Sequence, residues 1–599
     1  MLNKYLFNRR AYFIFILISF FFLLICIRLF FLQIIYQDIY EEKANNNSIK
    51  VLPDIASRGL ILDRNGEILA TNKLSFNLEI NTHNKSYKQI LEIVSNAKRY
   101  INISEEDEKN FFKSYSQGIK RLSYPIKFNI SEQEMSEFLA NQFILSDIFL
   151  VEKFNRFYPF AEQFAHLIGY INRINNDDIT FITQNALSQK YFGSTHIGKK
   201  GIENFYELQL SGQPGQKEVM VNSFGFALRT IKTKAPLQGE NISLTISLPL
   251  QLKANELLQN KKGAVIMSEI QTGEVLVYAS QPSFNPNLFV NGIDQSNWNL
   301  LNNADDKPML DRVINGLYPP GSTIKPFIAL SALENHIVDT EYYINDPGFF
   351  QLKNSKKIFK DWKKGGHGHV NIIDAIAVSC DTFFYDLGLK IGIENIFKTL
   401  SSIGFGSNTN IDMPHEKKGN LPNPFLKKNW KLYETVNTSI GQGDSLITPA
   451  QLVNALNQLL SNGNISPQLH LNKNIPLSQN IKKQFVPENL QIIMQGMERV
   501  TKAGGTFGSI NGRNKYNLAG KTGTAQVFSL KSNEEYNENL IPENKRDHAL
   551  FIGYAPAENP KISIAVVIEN GGHGSSAAAP IAKNLVDSYF EGDLNYATH

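Results

Sequence analysis

The sequence predicts an α+β protein: an antiparallel sheet flanked by helices, with a helical subdomain, carried behind a β-rich N-terminal module and one transmembrane helix. Three observations lead there. A charge-free apolar run opens the chain, short strand-like segments separated by turn signals recur before residue 240, and beyond it strands stand at both ends of a helix-rich stretch.

The opening run, Ala11 to Ile27, has no charged residue; Arg28 interrupts it, and Leu29 to Tyr36 continues apolar apart from Gln33. A membrane span needs about 20 mostly apolar residues, so 11–36 is long enough, with Arg28 reaching toward the outer interface. Lys4, Arg9 and Arg10 precede it, which keeps a tail at 1–10 cytoplasmic and sends the rest across the membrane. No small-x-small cleavage site follows, so the span reads as an uncleaved single-pass anchor.

Ile39 to Lys50 is polar and predicts a helical stalk. Arg58–Ala70 predicts two short strands around the hairpin signal Asp63-Arg64-Asn65-Gly66. From about Lys88 to Phe149 the apolar spacing predicts helix. Gly198–Gly212 reads as a glycine-hinged helix, and Glu218–Val221, Ala227–Ile231 and Ile242–Ile246 as strands. The character changes near Pro236–Glu240, which divides an N-terminal module at 37–238 from a second domain at 239–592. There, Leu248–Leu258 predicts a helix, Gly263–Ile270 and Glu274–Ser280 strands, Ala549–Ala555 and Ile562–Glu569 strands again, and a helix starts near Ala579.

Composition excludes several functions. With 60 basic and 56 acidic residues the net charge is +4, too balanced for a nucleic-acid binder. No phosphate-cradling glycine loop is present. The two cysteines, Cys26 in the apolar run and Cys380, make no disulfide framework.

The chemistry sits in three short segments. In Tyr318-Pro319-Pro320-Gly321-Ser322-Thr323-Ile324-Lys325, a helix starting at Ser322 places Lys325 one turn on, where an amine of depressed pKa can take the hydroxyl proton. Alone this pattern is weak: Ser95-Asn96-Ala97-Lys98 also fits and reads as an exposed helix face. Ser379-Cys380-Asp381 and Lys521-Thr522-Gly523-Thr524 follow in order, and the three together are the signature of acyl-serine transferases.

On these residues, and on Arg58-Gly59, Asp63–Gly66, Gly198–Gly212, Ile440-Gly441-Gln442-Gly443 and His548–Pro556, the chain resembles class B penicillin-binding proteins over nearly its whole length, and among them the elongation type of Gram-negative bacteria. Leu550 stands where an aromatic is expected. The resemblance implies a peptidoglycan D,D-transpeptidase acting in lateral wall elongation and cell shape, and inhibited by β-lactams. Ser322 would attack the penultimate D-alanine of a stem pentapeptide and release the terminal one. Lys325 would be the base and Ser379 a proton relay. Lys521 and Thr522 would hold the terminal carboxylate, and the strand with Gly523 would pair with substrate backbone. Ser322 and Thr524 N–H groups would form the oxyanion hole. Asp381 stands where many relatives carry Asn; an ionised carboxylate only accepts hydrogen bonds, which alters any contact it makes with substrate.

The N-terminal module carries no catalytic signal. By resemblance it is a pedestal that docks a polytopic rod-shape glycosyltransferase and elongation scaffold proteins. Spacing alone makes Cys380 an inert buried thiol among surface His and Asp residues. The resemblance instead implies a structural zinc held by Asp346, Asp361, His367 and Cys380. A β-lactam hydrolase or sensor shares the three motifs, but the long 60–235 module and the single span argue against both. The intact Ser322, Lys325 and Lys521 argue against a silent scaffold.

Overall fold

The structure, a computed structural model, describes residues 2–37, 49–82, 85–117, 123–221, 227–353, 357–461, 466–475, 479–480, 485–508, 516–527 and 541–592. The first helix, Leu2–Phe30, runs into a π-helical turn at Phe31–Ile35. Across this helix and turn, Ala11–Ile35 has a mean hydropathy of 2.9, and its most apolar stretch is not buried by any of the described residues. An apolar helix left uncovered by its own chain needs another apolar medium, which fits a single-pass membrane anchor. Most of the predicted polar stalk lies outside the described residues, but Ile49 and Lys50 already belong to a strand, Ile49–Asp54.

That strand edges a three-stranded antiparallel sheet with Gly215–Val221 and Ala227–Lys234. A second sheet is built on the 14-residue strand Ile68–Asn81, which pairs with Ile61–Leu62, Ser123–Lys127 and Ile148–Phe157. The expected hairpin is present: Ile61 pairs with Ala70, and buried Asp63 accepts from the N–H groups of Asn65 (2.8 Å) and Glu67 (2.9 Å). The 88–149 stretch expected to be helical holds three helices, Tyr87–Ala97, Glu105–Gln117 and Glu132–Ala140, but also the strand Ser123–Lys127. Tyr124 and Ile126 alternate into a core with Leu78, Ile80, Ile90, Val94, Phe111 and Phe138. Five alternating residues are too few to stand out against helical flanks. Ser95 is exposed on its helix, as expected of a chance Ser-x-x-Lys.

Two stretches far apart in sequence, around Arg58 and around Glu203, meet in one buried ion cluster. Arg58 donates to Glu203 (2.6 Å) and Glu207 (2.7 Å), and Arg156 donates to Glu203 (2.6 Å). Burial alone would raise the Glu203 pKa, but Arg156 and Arg58 outweigh it and hold it below the usual carboxylate value.

The second domain is organised on a five-stranded antiparallel sheet in the order Val275–Gln281, Gly263–Glu269, Ile562–Ile568, His548–Ala555, Ala519–Ala525. Every residue of Ile562–Ile568 is buried, which requires cover on both faces. Leu248–Leu257, Ala579–Gly592, Pro449–Leu460 and Pro487–Arg499 supply it. The chain thus begins and ends this domain in adjacent strands, and the helical subdomain fills the interval. Its central helix, Lys325–Glu334, is buried from Lys325 through Leu333. The two modules are joined by Arg64 reaching Glu269 and Glu274 (3.3 Å each), and by the Tyr206 hydroxyl donating to Asp412 (2.6 Å).

Candidate active site

The nucleophile segment is a single 3-10 turn, Gly321–Ile324, that passes directly into the α-helix starting at Lys325. The helix therefore starts three residues later than the sequence suggests. Pro320 and Pro326 bracket the turn, where their missing N–H groups cost nothing. Gly321 has φ +52° and donates its N–H to Gly441 O (2.9 Å). A side chain there would meet Thr524 O at 2.7 Å, and one at Gly441 would meet Gly321 O at 2.4 Å. The turn is thus pressed between the 440s loop and the third-motif strand.

Lys325 is fully buried, and its amine lies 5.3 Å from the centre of the Phe384 ring. It donates to Ser379 O (2.9 Å), Ser379 Oγ (3.2 Å) and Asp381 Oδ1 (2.7 Å). The Ser322 hydroxyl makes no hydrogen bond to a described residue. Catalytic bonds commonly tighten only when substrate is seated. Ser379 has φ +58°, a left-handed conformation uncommon outside glycine, which turns its side chain toward Lys325 at the mouth of the helix Asp381–Ile391. Asp381 faces Lys325 as an ion-pair partner, with its own N–H donated to Asp361 (2.8 Å).

Among the described residues the strand Ala519–Ala525 pairs only with His548–Ala555, which leaves its other edge without a strand partner there. Alternation puts Lys521 and Gly523 on one face and Thr522 and Thr524 on the other. A side chain at Gly523 would strike Thr323 at 2.7 Å, so only glycine lets the strand lie against the nucleophile turn. Lys521 is fully buried; burial and then the Lys325 charge push its pKa well below the ordinary lysine value, with Asp381 opposing. Its amine donates to Thr522 O (3.0 Å). Ser322, Lys325, Ser379, Asp381 and Lys521–Thr524, distant in sequence, are therefore gathered where a turn, a helix mouth and a sheet edge meet.

Asp346, Asp361, His367 and Cys380 also converge, with one ligand atom from each within 4.8 Å of all the others. His367 Nδ1 lies 2.9 Å from Asp346 and 3.5 Å from Asp361, and the Cys380 thiol donates to Asp346 (3.3 Å). Burial, then the Asp361 charge, push the Cys380 thiol far above its ordinary value. His367 Nε2 is buried without a hydrogen-bond partner among the described residues. A set of one thiol, one imidazole and two carboxylates at this spacing matches the donor chemistry of a tetrahedral zinc site.

Sequence reasoning assigned no role to three contributors. Gln442 donates to Thr524 O (3.4 Å), Phe384 supplies the ring beside Lys325, and Thr506 touches Thr522 across 2.9 Å. Only the glycine pair Gly504-Gly505, which permits a tight loop, was a visible signal for the last.

Family comparisons agree with this geometry. Residues 263–587 match the penicillin-binding protein transpeptidase domain, and residues 53–244 match the penicillin-binding protein dimerisation domain. The chain belongs to the penicillin-binding proteins. Within that family it is similar to a peptidoglycan D,D-transpeptidase, MrdA, of Escherichia coli K12, 34% identical over 98% of this chain and 95% of the relative. The Haemophilus influenzae MrdA is 37% identical over 93% of this chain and 88% of its own. Among solved structures, a Helicobacter pylori PBP2 in complex with MreC superposes with a TM-score of 0.79 at 31% identity, covering 91% of this chain and 99% of that one. A Pseudomonas aeruginosa PBP2 in complex with WCK 5153 gives a TM-score of 0.68 at 32% identity, covering 90% and 96%. This penicillin-binding protein carries both a transpeptidase domain and a dimerisation domain.

Proposed function

We propose that this penicillin-binding protein cross-links peptidoglycan stem peptides through an ester on Ser322. The protein is a serine-type peptidoglycan D,D-transpeptidase, and its acyl transfer needs no cofactor. The observation that carries the assignment of Ser322 is the meeting of its turn with Lys325–Ser379 and with the open Lys521–Thr524 edge. In the first step Ser322 Oγ attacks the penultimate D-alanine carbonyl; the hydroxyl proton passes through Lys325 and Ser379 to the leaving terminal D-alanine. An amine of a neighbouring stem then attacks the ester and restores Ser322. The open edge pairs with the donor backbone, and Lys521 and Thr522 meet its terminal carboxylate. A fluorescent penicillin tests this. One stable adduct per chain, mapped to Ser322 by mass spectrometry and lost in Ser322→Ala, is the expected outcome. Rapid drug turnover, or an adduct elsewhere, would overturn it.

The same reading places the protein in the inner membrane with its bulk periplasmic, divided at 37–238 and 239–592 into pedestal and transpeptidase domain. Solved relatives in complex with MreC and in a peptidoglycan synthase complex support elongation partners for the pedestal, including a polytopic glycosyltransferase, and a role in cell shape. Asp346, Asp361, His367 and Cys380 would hold zinc, which would act structurally by fixing Asp361 and Cys380 at the mouth of the helix that presents Ser379 and Asp381. Purified protein should contain about one zinc per chain and lose it in Cys380→Ser, along with thermal stability; a metal-free wild type would end this proposal.

A further inference from the structure

The Thr506 hydroxyl has no place in the three motifs, yet it reaches the third of them. Thr506 lies in the loop that follows the helix Pro487–Arg499. The loop turns tightly through Gly504 at φ +88°, and a side chain at Gly505 would strike Arg499 O at 2.2 Å. It is pinned at three points. Phe507 N–H donates to Val500 O (2.9 Å), and the Phe507 ring packs on Phe551, the residue paired with Thr522 across the sheet. Thr506 N–H donates to Ala377 O (3.2 Å), two residues before Ser379. The Thr506 and Thr522 hydroxyl oxygens are 2.9 Å apart, and neither makes another hydrogen bond among the described residues.

A hydroxyl has one hydrogen to give and two lone pairs to receive. Resting on the reading that Thr522 meets the substrate carboxylate, the direction of this bond follows. A carboxylate only accepts, so the Thr522 hydrogen must point to it. The Thr506 hydroxyl must then be the donor across the 2.9 Å contact. We propose that Thr506 is a positioning residue for carboxylate recognition: it occupies a lone pair of Thr522 and thereby turns the Thr522 hydrogen toward the terminal carboxylate of donor peptides and β-lactams. Because the same loop holds Ala377, it also ties this carboxylate site to the segment carrying Ser379.

The test compares acylation of full-length protein by a penicillin and by the methyl ester of the same penicillin, which lacks the carboxylate. Thr506→Val, close in shape, should slow acylation by the acid ~10-fold, the scale of one charge-assisted hydrogen bond, and leave the ester within about twofold. Thr506→Ser should restore the acid rate. In a Thr522→Val background the Thr506→Val effect should disappear, since its target is gone. Equal slowing of acid and ester, or full additivity with Thr522→Val, would overturn the proposal and leave Thr506 as a packing residue. Were Thr506→Val to misfold by its melting curve, Thr506→Ala read against Thr506→Ser gives the same acid-to-ester ratio. Absence of any Ser322 adduct in the unmutated protein would instead defeat the underlying transpeptidase reading, so the two failures are distinguishable.

Discussion

Gly321→Ala isolates the contact on which an oxyanion site formed by the Ser322 and Thr524 N–H groups would depend. The added methyl would stand 2.7 Å from Thr524 O, where ordinary contact begins at 3.4 Å, so the turn and the strand must part by about 0.7 Å. The turn cannot retreat, because Gly441 O already accepts its N–H at 2.9 Å from the other side. At φ +52° the new residue also pays the left-handed penalty of roughly 1–2 kcal/mol. The stability loss is thus modest, a shift of a few degrees in melting temperature for a protein of this size. The kinetic loss is larger. Displacing one oxyanion donor by a fraction of an ångström costs on the order of 10²-fold in rate. Stopped-flow acylation by a fluorescent penicillin should therefore fall about a hundredfold while the melt moves only slightly. Acylation within threefold of the unmutated protein would show that Thr524 does not depend on this contact.

Two further outcomes follow from buried charge. Glu203→Ala leaves Arg58 and Arg156 without their shared carboxylate at a site where Glu203 itself is fully buried, and should destabilise the N-terminal module by ~3–5 kcal/mol in urea titration; a loss under 1 kcal/mol would contradict the cluster. Burial depresses the His166 pKa from 6.5 to about 4, so its imidazole is neutral when folded and protonated when unfolded between those values. The stability it secures is present above pH 6.5 and is lost as pH falls toward 4. The stability difference between the unmutated protein and His166→Gln should accordingly shrink by about 2 kcal/mol from pH 7 to pH 5. Asp311, raised to about 6, acts in the opposite sense but is common to both proteins and cancels in the difference. A difference that stays constant with pH would show that His166 charges in the folded state.

What the sequence disclosed was what is written locally. The anchor is a matter of composition, and the hairpin at Asp63–Gly66 of turn chemistry. The three motifs declare themselves because a nucleophile, its neighbouring amine and a glycine-containing strand each need fixed residue types within a few positions. The strands of the central sheet were visible as apolar runs, since both faces are covered. By contrast, Ser123–Lys127 was hidden because its two buried residues are outnumbered by helical neighbours. Nothing local announces that Arg58 and Arg156 share Glu203, that Gly441 presses on Gly321, or that Thr506 reaches Thr522, because each contact exists only after the chain has closed. The start of the Lys325 helix was misplaced for a related reason: Pro326 and the pressure on Gly321 favour a tighter 3-10 turn ahead of it.

The unpaired side of Ala519–Ala525 has an implication for drug escape. A ladder of peptide groups recognises any extended chain of the right handedness, whatever side chains it bears, so a rigid bicycle that imitates only the peptide outline and a terminal anion is sufficient to be mistaken for substrate. Apart from a change to proline, no substitution removes a backbone N–H, and none removes a carbonyl. Discrimination against such an impostor has to be gained by re-angling the whole border, through the glycines that seat it or the loop behind it, and every such change also taxes the recognition of the natural peptide.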